Sequence, residues 1–223
     1  MQKIITYQEA LRHFCDGMTI MIGGFMSNGT SELLVDAILE KGIRDYTIIC
    51  NDTAMPGFGI SRLIDSKRVK KIITSHIGMN PETGKQMSAG DLEVELVPQG
   101  TLAERIRCGG HGLGGVLTPT GLGTHVAEGK KILEIDGKEY LLETPIRADL
   151  ALIHATKADS FGNLYYAGTT RNFNPLMAMA ADLVLATSEE LVEIGELEPE
   201  CIMTSGIFID FLVKGDAEWI LKK

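Results

Sequence analysis

Short, largely apolar runs recur along this chain between segments of helical period, and that alternation limits the fold more than any other feature. Met18–Ile22, Tyr46–Cys50, Leu150–His154 and Leu183–Thr187 are such runs, with Val69–Ser75 as a further strand. A strand exposed on one face alternates apolar with polar residues. A run that is apolar nearly throughout is covered on both faces, as in parallel sheets flanked by helices. The intervening segments carry the helical pattern: Tyr7–Cys15 with Ala10, Leu11 and Phe14 on one face, then Ile60–Asp65, Thr101–Arg107 and the Met- and Ala-rich Asn174–Ala181. Ser31 can cap a further helix that stacks Leu34, Ile38 and Lys41 and stops at Gly42. The expectation is an α/β fold with an open, mostly parallel sheet and helices on both faces.

Two segments depart from the rhythm. Leu92–Val97 alternates Leu, Val and Leu against Glu, which predicts a half-exposed strand. Asp136-Gly137, between Lys131–Ile135 and Lys138–Leu142, is a strong hairpin signal and predicts a small antiparallel hairpin insertion near residues 131–142. With no internal repeat, low-complexity tract or linker, residues 1–223 read as one domain carrying that flap.

Composition then narrows the partners. A formal net charge of −9 and an aromatic content of 6% argue against a nucleic-acid surface. The same charge would repel an anionic ligand at long range, so phosphate binding would need local N–H groups or cations. Lys67–Lys71 (KRVKK) is the one dense basic run and reads as a solvated strand entrance. Cys15, Cys50, Cys108 and Cys201 lack zinc-type spacing and read as buried free thiols in a reducing cytoplasm. The start at Met1, Gln2 and Lys3 shows no signal peptide, and the longest apolar stretch, Met18–Met26, is too short to span a bilayer. Neither a membrane nor a metal is expected.

The candidate site residues follow strand ends. Gly23–Thr30 (GGFMSNGT) ends a buried strand and opens a helix, a placement that suits an anion or a pantetheine-phosphate chain. The same pattern also serves a tight turn that needs glycine for its dihedrals. Asn51 and Gln99 each follow a strand, where open α/β sheets place their ligands. Their amides could donate to a carboxylate or a developing oxyanion, or each could cap a local turn. Gly110, Gly112 and Gly115 match G-x-G-x-x-G, but a helix precedes them and Thr118-Pro119 follows, which is the wrong context for a dinucleotide loop. His13, His76, His111, His125 and His154 show no metal spacing.

Taken in order, Gly23-Gly24-Phe25 with Gly29, Asn51, Val97–Arg107, Leu117–Thr124 (LTPTGLGT) and Arg171–Ala181 make the chain similar to family I CoA-transferase alpha subunits over nearly its whole length. Ser75–Gly84 (SHIGMNPETG) most resembles the acetate/butyrate–acetoacetate enzymes of bacteria. Met26, Ser31 and His111 depart from that resemblance, standing where relatives commonly carry glycine, proline and alanine.

The resemblance implies that Gly24, Phe25, Met26, Ser27, Asn28, Gly29 and Thr30 lie along bound coenzyme A, a substrate and not a permanently held cofactor. It implies that Asn51 and Gln99 line the acyl pocket. It also implies a glutamate nucleophile within a Ser-Glu-Asn-Gly type of motif on a beta subunit, in a heterodimer or a higher assembly such as alpha2beta2. Neither Glu104 nor Glu189-Glu190, read as a polar helical stretch, has that context. The chain is therefore expected to supply no catalytic residue of its own and to act on acyl-CoA and short-chain carboxylic acids only with that partner. Two rivals remain: a sugar-phosphate isomerase or deaminase using His76 and Asp52, and a non-catalytic CoA-binding module.

Overall fold

The computed structural model describes residues 3–214. Residues 1–2, on which the leader reading rests, and residues 215–223 lie outside the described residues. In chain order the elements are β1 (Ile4–Thr6), α1 (Tyr7–Ala10), β2 (Thr19–Ile22), α2 (Glu32–Lys41), β3 (Tyr46–Ile49), α3 (Ile60–Asp65), β4 (Val69–Thr74), α4 (Pro81–Ala89), β5 (Glu93–Leu96) and α5 (Gln99–Gly110). They continue with β6 (Val116–Thr118), β7 (Ile132–Ile135), β8 (Lys138–Glu143), β9 (Ala148–Asp159), β10 (Leu164–Tyr165), α6 (Asn174–Met179), β11 (Ala181–Val192) and β12 (Phe211–Lys214).

Eight strands form one parallel sheet in the order β1-β12-β11-β9-β2-β3-β4-β5, and β10 adds an antiparallel pair to β9. The apolar runs are buried on both faces, as their composition predicts. Ile20 and Ile22 of β2, Ile48 of β3 and Leu150 and Leu152 of β9 pack with Leu34 and Ile38 of α2 and Leu63 of α3 on one face. Met21, Ile49, Ala151 and Ile153, one residue out of phase, pack with Leu102 and Ile106 of α5 and Met177 of α6 on the other. The period-2 geometry of the strands thus builds two cores from one sequence run. β5 closes one edge, and its Glu93 and Glu95 pair with Lys71 at 2.9 Å each, a charged edge that resists further strand pairing. Lys71 belongs to the KRVKK run, which is thereby committed in part to the sheet edge.

Several expectations change. The first helix is one α-turn followed by a 3-10 turn at Leu11–His13 and ends before Cys15, since the backbone at Phe14 is extended. The insertion is a three-stranded antiparallel sheet, β6-β8-β7, and not a lone hairpin. Val116–Thr118 follows the glycine-dense segment and is too short to register as a strand by period. Glu189 and Glu190 lie in β11 and not in a helix, because β11 and β9 extend together to Val192 and Asp159. Cys50 and Cys108 are buried, whereas Cys15 and Cys201 are exposed. α4 has little apolar periodicity: its buried residues are Thr83 and Gln86, and Gln86 Nε2 donates to the Ile64 carbonyl at 3.0 Å. No described helix is long and apolar enough to cross a membrane.

Candidate functional site

The candidate residues gather at the carboxyl ends of β2, β3 and β5, the edge where parallel sheets present their loops. The Gly23–Thr30 loop leaves β2 with Gly23 N–H donating to the Leu152 carbonyl at 3.1 Å. Phe25 and Asn28 then exchange backbone hydrogen bonds of 3.0 and 2.9 Å around a two-residue turn. Its central residues, Met26 and Ser27, have φ of 51° and 67°. Such a turn needs left-handed backbone at both positions, which side chains other than glycine's adopt at a cost of about 1–2 kcal/mol each. A glycine in place of Met26 would remove part of that cost.

Glycine is required at the loop's base for space. A methyl group at Gly23 would fall 1.9 Å from Asn174 Oδ1, and one at Gly24, where φ is +123°, would fall 1.9 Å from Thr30 Oγ1. The approach at Gly24 is within the loop, and the one at Gly23 exists because Asn172 and Asn174, at the start of α6, grip the loop. Asn172 Oδ1 accepts from Gly24 N–H at 2.9 Å, and its Nδ2 donates to the Asn28 carbonyl at 3.0 Å. Asn174, fully buried, donates from Nδ2 to the carbonyls of Gly29 (2.9 Å) and Thr170 (2.8 Å) and accepts at Oδ1 from His154 N–H (3.1 Å). Asn28 Nδ2 also donates to Thr169 Oγ1. These two asparagines are the structural content of the Arg171–Ala181 signature. Sequence reasoning missed their role. The available signal was a polar Asn-Phe-Asn at the start of a buried helix whose second residue is Pro175.

The start of α2 is less open to an anion than its position after a glycine loop predicts. Ser31 Oγ accepts from Leu34 N–H at 3.3 Å and from Thr187 Oγ1 at 2.8 Å. Glu32 sits in the first turn, accepts from Gly59 N–H at 2.8 Å and pairs with Arg62 at 3.1 Å. Thr30 and Ser31 are buried. The face offered to solvent is the turn itself, with Phe25 at 43% exposure and Asn28 exposed.

Asn51 stands just past β3 and is 5% exposed. Its carbonyl accepts from Ser75 N–H (2.9 Å) and Ser75 Oγ (2.7 Å), and its Oδ1 accepts from Ser75 Oγ at 2.8 Å. The serine fixes which way the amide faces and leaves Nδ2 with no hydrogen bond to another described residue. Gln99 is the first residue of α5, exposed, with no side-chain hydrogen bond among the described residues. It belongs to the first turn of the helix and not to a strand end. Two strand spacings, about 10 Å, separate the ends of β3 and β5, so Asn51 and Gln99 flank one edge without touching.

Asp52 and His76, which spacing alone did not bring together, lie side by side after β3 and β4, with Thr53 N–H donating to the His76 carbonyl at 3.3 Å. The Asp52 carboxylate is 2% exposed and is engaged by backbone N–H groups of Met26 and Ala54. Burial pushes this carboxyl up from its ordinary value, and the Met26 and Ala54 N–H groups and His76 oppose that shift. Among the described residues no group of His, Cys, Asp and Glu is arranged to hold a metal ion.

Residues 4–215 match the family described as Coenzyme A transferase. The chain is 59% identical, over 95% of its length and 96% of the relative's, to the acetate CoA-transferase subunit alpha of Escherichia coli (strain K12). It is 54% identical, over 96% of its length and 99% of the relative's, to the acetoacetyl-CoA:acetate/butyrate CoA transferase alpha subunit of Clostridium acetobutylicum.

Solved structures share the fold at lower identity. An acyl-CoA transferase from E. coli O157:H7, solved as a thioester complex with CoA, superposes with a TM-score of 0.84 at 23% identity, over 96% of this chain. This chain spans half the length of that enzyme's chain. Glutaconate coenzyme A-transferase from Acidaminococcus fermentans gives a TM-score of 0.84 at 21% identity, over 95% of this chain and 75% of its own. With a family match running from β1 to the end of β12 and relatives above 50% identity end to end, the chain belongs to the coenzyme A transferase family.

Proposed function

We propose that this chain is the alpha subunit of a heteromeric CoA-transferase that moves CoA from acetyl-, butyryl- or acetoacetyl-CoA to a short-chain carboxylate. The observation that carries this reading is the 59% identity to an acetate CoA-transferase alpha subunit across 95% of the chain. The Clostridium relative, named for acetate and butyrate, supports the four-carbon acid as a substrate. The partner is a CoA-transferase beta subunit, in one or more alpha–beta pairs working in the cytoplasm. Coenzyme A is a substrate, and no cofactor is held permanently.

The chemistry is a two-step exchange through a glutamate carried by the beta subunit. Its carboxylate attacks the acyl-CoA thioester and forms an acyl–glutamyl anhydride with release of CoA thiolate. The thiolate attacks the glutamyl carbonyl, the first acid leaves as its carboxylate, and a glutamyl-CoA thioester remains for the second carboxylate. Splitting the transfer in this way lowers each barrier and conserves the thioester's free energy if water is excluded.

This chain shapes the site. Gly24–Thr30 lies along the CoA, presenting Phe25 and Asn28. Asn51, held by Ser75 with Nδ2 unused, donates to the oxyanion or acyl carboxylate, and Gln99 does the same from the start of α5. Neutral amide donors suit this task because they bind negative charge that develops in the reaction without trapping the free acid as a fixed cation would.

The isomerase reading gains the adjacency of Asp52 and His76, but the Asp52 carboxylate is committed to backbone N–H groups and is poorly placed as an acid–base group. A non-catalytic module predicts CoA binding without turnover in any pairing. The test is transfer between acetyl-CoA and butyrate or acetoacetate, measured on the chain co-purified with its beta subunit and on the isolated chain. Turnover by the complex and none by the isolated chain is expected. An inert complex, or full turnover by the isolated chain, defeats the reading.

A further inference from the structure

The tip and the base of the Gly23–Thr30 loop are held by different groups. Asn172 and Asn174 bond to the base, at Gly24, Asn28 and Gly29. At the tip, Phe25 and Asn28 exchange backbone bonds, Asn172 and Thr169 also hold Asn28, and the Ser27 carbonyl accepts from Thr30 N–H at 3.2 Å. The Met26 N–H is held by one side chain: both oxygens of Asp52 accept from it, at 3.1 and 3.2 Å. Asp52 Oδ2 also accepts from Ala54 N–H at 3.2 Å. Met26, Ser27 and Ala54 are at φ of 51°, 67° and 57°. The other non-glycine residues with positive φ among the described residues, Asp45, Lys67 and Asp136, lie elsewhere. Three residues in reluctant backbone conformations are thus bonded to, or adjacent to a bond with, one carboxylate that is almost wholly buried.

A carboxylate fits this position chemically. It accepts hydrogen bonds and donates none, so it meets converging N–H groups without a donor left over. An amide of the same shape would turn its NH2 toward one of them. The loops that Asp52 ties together carry Phe25 on one side and Met55 and Phe58 on the other, all exposed apolar side chains at the mouth of the site. Ser27 Oγ is buried without a partner, so it does not hold the turn in place of Asp52.

We propose that Asp52 is a positioning residue for acyl-CoA binding: it holds the Met26–Ser27 turn and the Ala54 turn in left-handed backbone, and so sets where Phe25 and Asn28 meet the CoA. It acts through Met26 and does not touch the substrate. This rests on the reading of Gly24–Thr30 as the CoA loop.

The test compares Asp52→Asn with the double variant Asp52→Asn/Met26→Gly, each in complex with the beta subunit. Asp52→Asn is expected to raise KM for the acyl-CoA about tenfold, equivalent to ~1.4 kcal/mol, while kcat falls less than about threefold. Hydrogen exchange at the Met26 and Ala54 amides should accelerate while β2 and β9 stay protected. Glycine has no side chain to strain at φ of +51°, so the double variant should recover about half of the lost affinity on a logarithmic scale. An unchanged KM with unchanged exchange at Met26 overturns the proposal. So does failure of the double variant to recover, or loss of folding in both variants, because Asp52 would then be an ordinary part of the core. If the unsubstituted complex transfers no CoA, the functional reading falls separately. The exchange rates at Met26 and Ala54 then still decide whether Asp52 holds the loop.

Discussion

The Gly23–Thr30 loop and the β6-β8-β7 sheet both project from the main sheet, and both contain a tight two-residue turn with positive φ at its two centres. In the hairpin these are Asp136 (51°) and Gly137 (72°), a pair chosen for that backbone, and the strands pair locally from Ile135↔Lys138 outward. In the loop they are Met26 and Ser27, which are not. The loop keeps that shape because Asn172 and Asn174 reach it across 144 and 145 residues of chain and Asp52 closes on it from β3's end. A turn set by its own sequence stands alone. A turn set against its own sequence must be over-determined by its surroundings, and such places tend to be functional.

Substitution should separate the two regions. Asn174→Ala strips the partners from the buried Gly29 carbonyl and the His154 N–H and leaves the Thr170 carbonyl only Asn172 Nδ2 at 3.3 Å. We expect it to destabilise the chain by about 3 kcal/mol in chemical denaturation. A loss below about 1 kcal/mol would mean the loop is not held from the α6 side. Gly137→Ala places a side chain at φ of +72° in open space, so only the backbone term is felt, about 1 kcal/mol, with transfer activity retained. A larger loss there would put the small sheet within the cooperative core.

The smallest effect lies at the charged edge. Burial acts to raise the Glu95 carboxyl, but Lys71 and Arg105 overcome it and hold the group below its ordinary value. A depressed carboxyl contributes stability above its unfolded value, near about pH 4.3, and that stability is lost as the pH falls through the lower folded value. Glu95→Gln should therefore lower the melting temperature slightly near neutrality, where the carboxylate contributes, and flatten its decline between about pH 5 and pH 3, so that the two chains converge at the acid end. An acid limb as steep as that of the parent chain would contradict the assignment.

What sequence reading recovered and what it missed divide along the same line. The parallel sheet was legible because Ile20/Ile22 against Met21, and Leu150/Leu152 against Ala151, declare two-sided burial within a few residues. The hairpin was legible in Asp136-Gly137, and the cap and stop of α2 in Ser31 and Gly42. α4 was not, because it buries Thr83 and Gln86, whose hydrogen bonding no hydropathy period records. β6 was invisible for want of length, and the Glu189-Glu190 stretch misread because β11 outgrows its apolar segment alongside β9. At the site, the places of Gly23–Thr30 after β2 and Asn51 after β3 were legible from the apolar runs before them. The contacts of Asn172 and Asn174 were missed, and Asp52 was weighed only as a partner of His76, because the partners of all three are brought to them by the fold and no spacing in the chain announces that meeting.

On the function proposed above, this chain forms the CoA and acyl surfaces and the nucleophile belongs to its partner. Intact-mass analysis of the complex after incubation with acetyl-CoA and rapid quenching tests it most directly. A covalent CoA adduct on the beta subunit and none on this chain is expected; an adduct on this chain would overturn the proposed function.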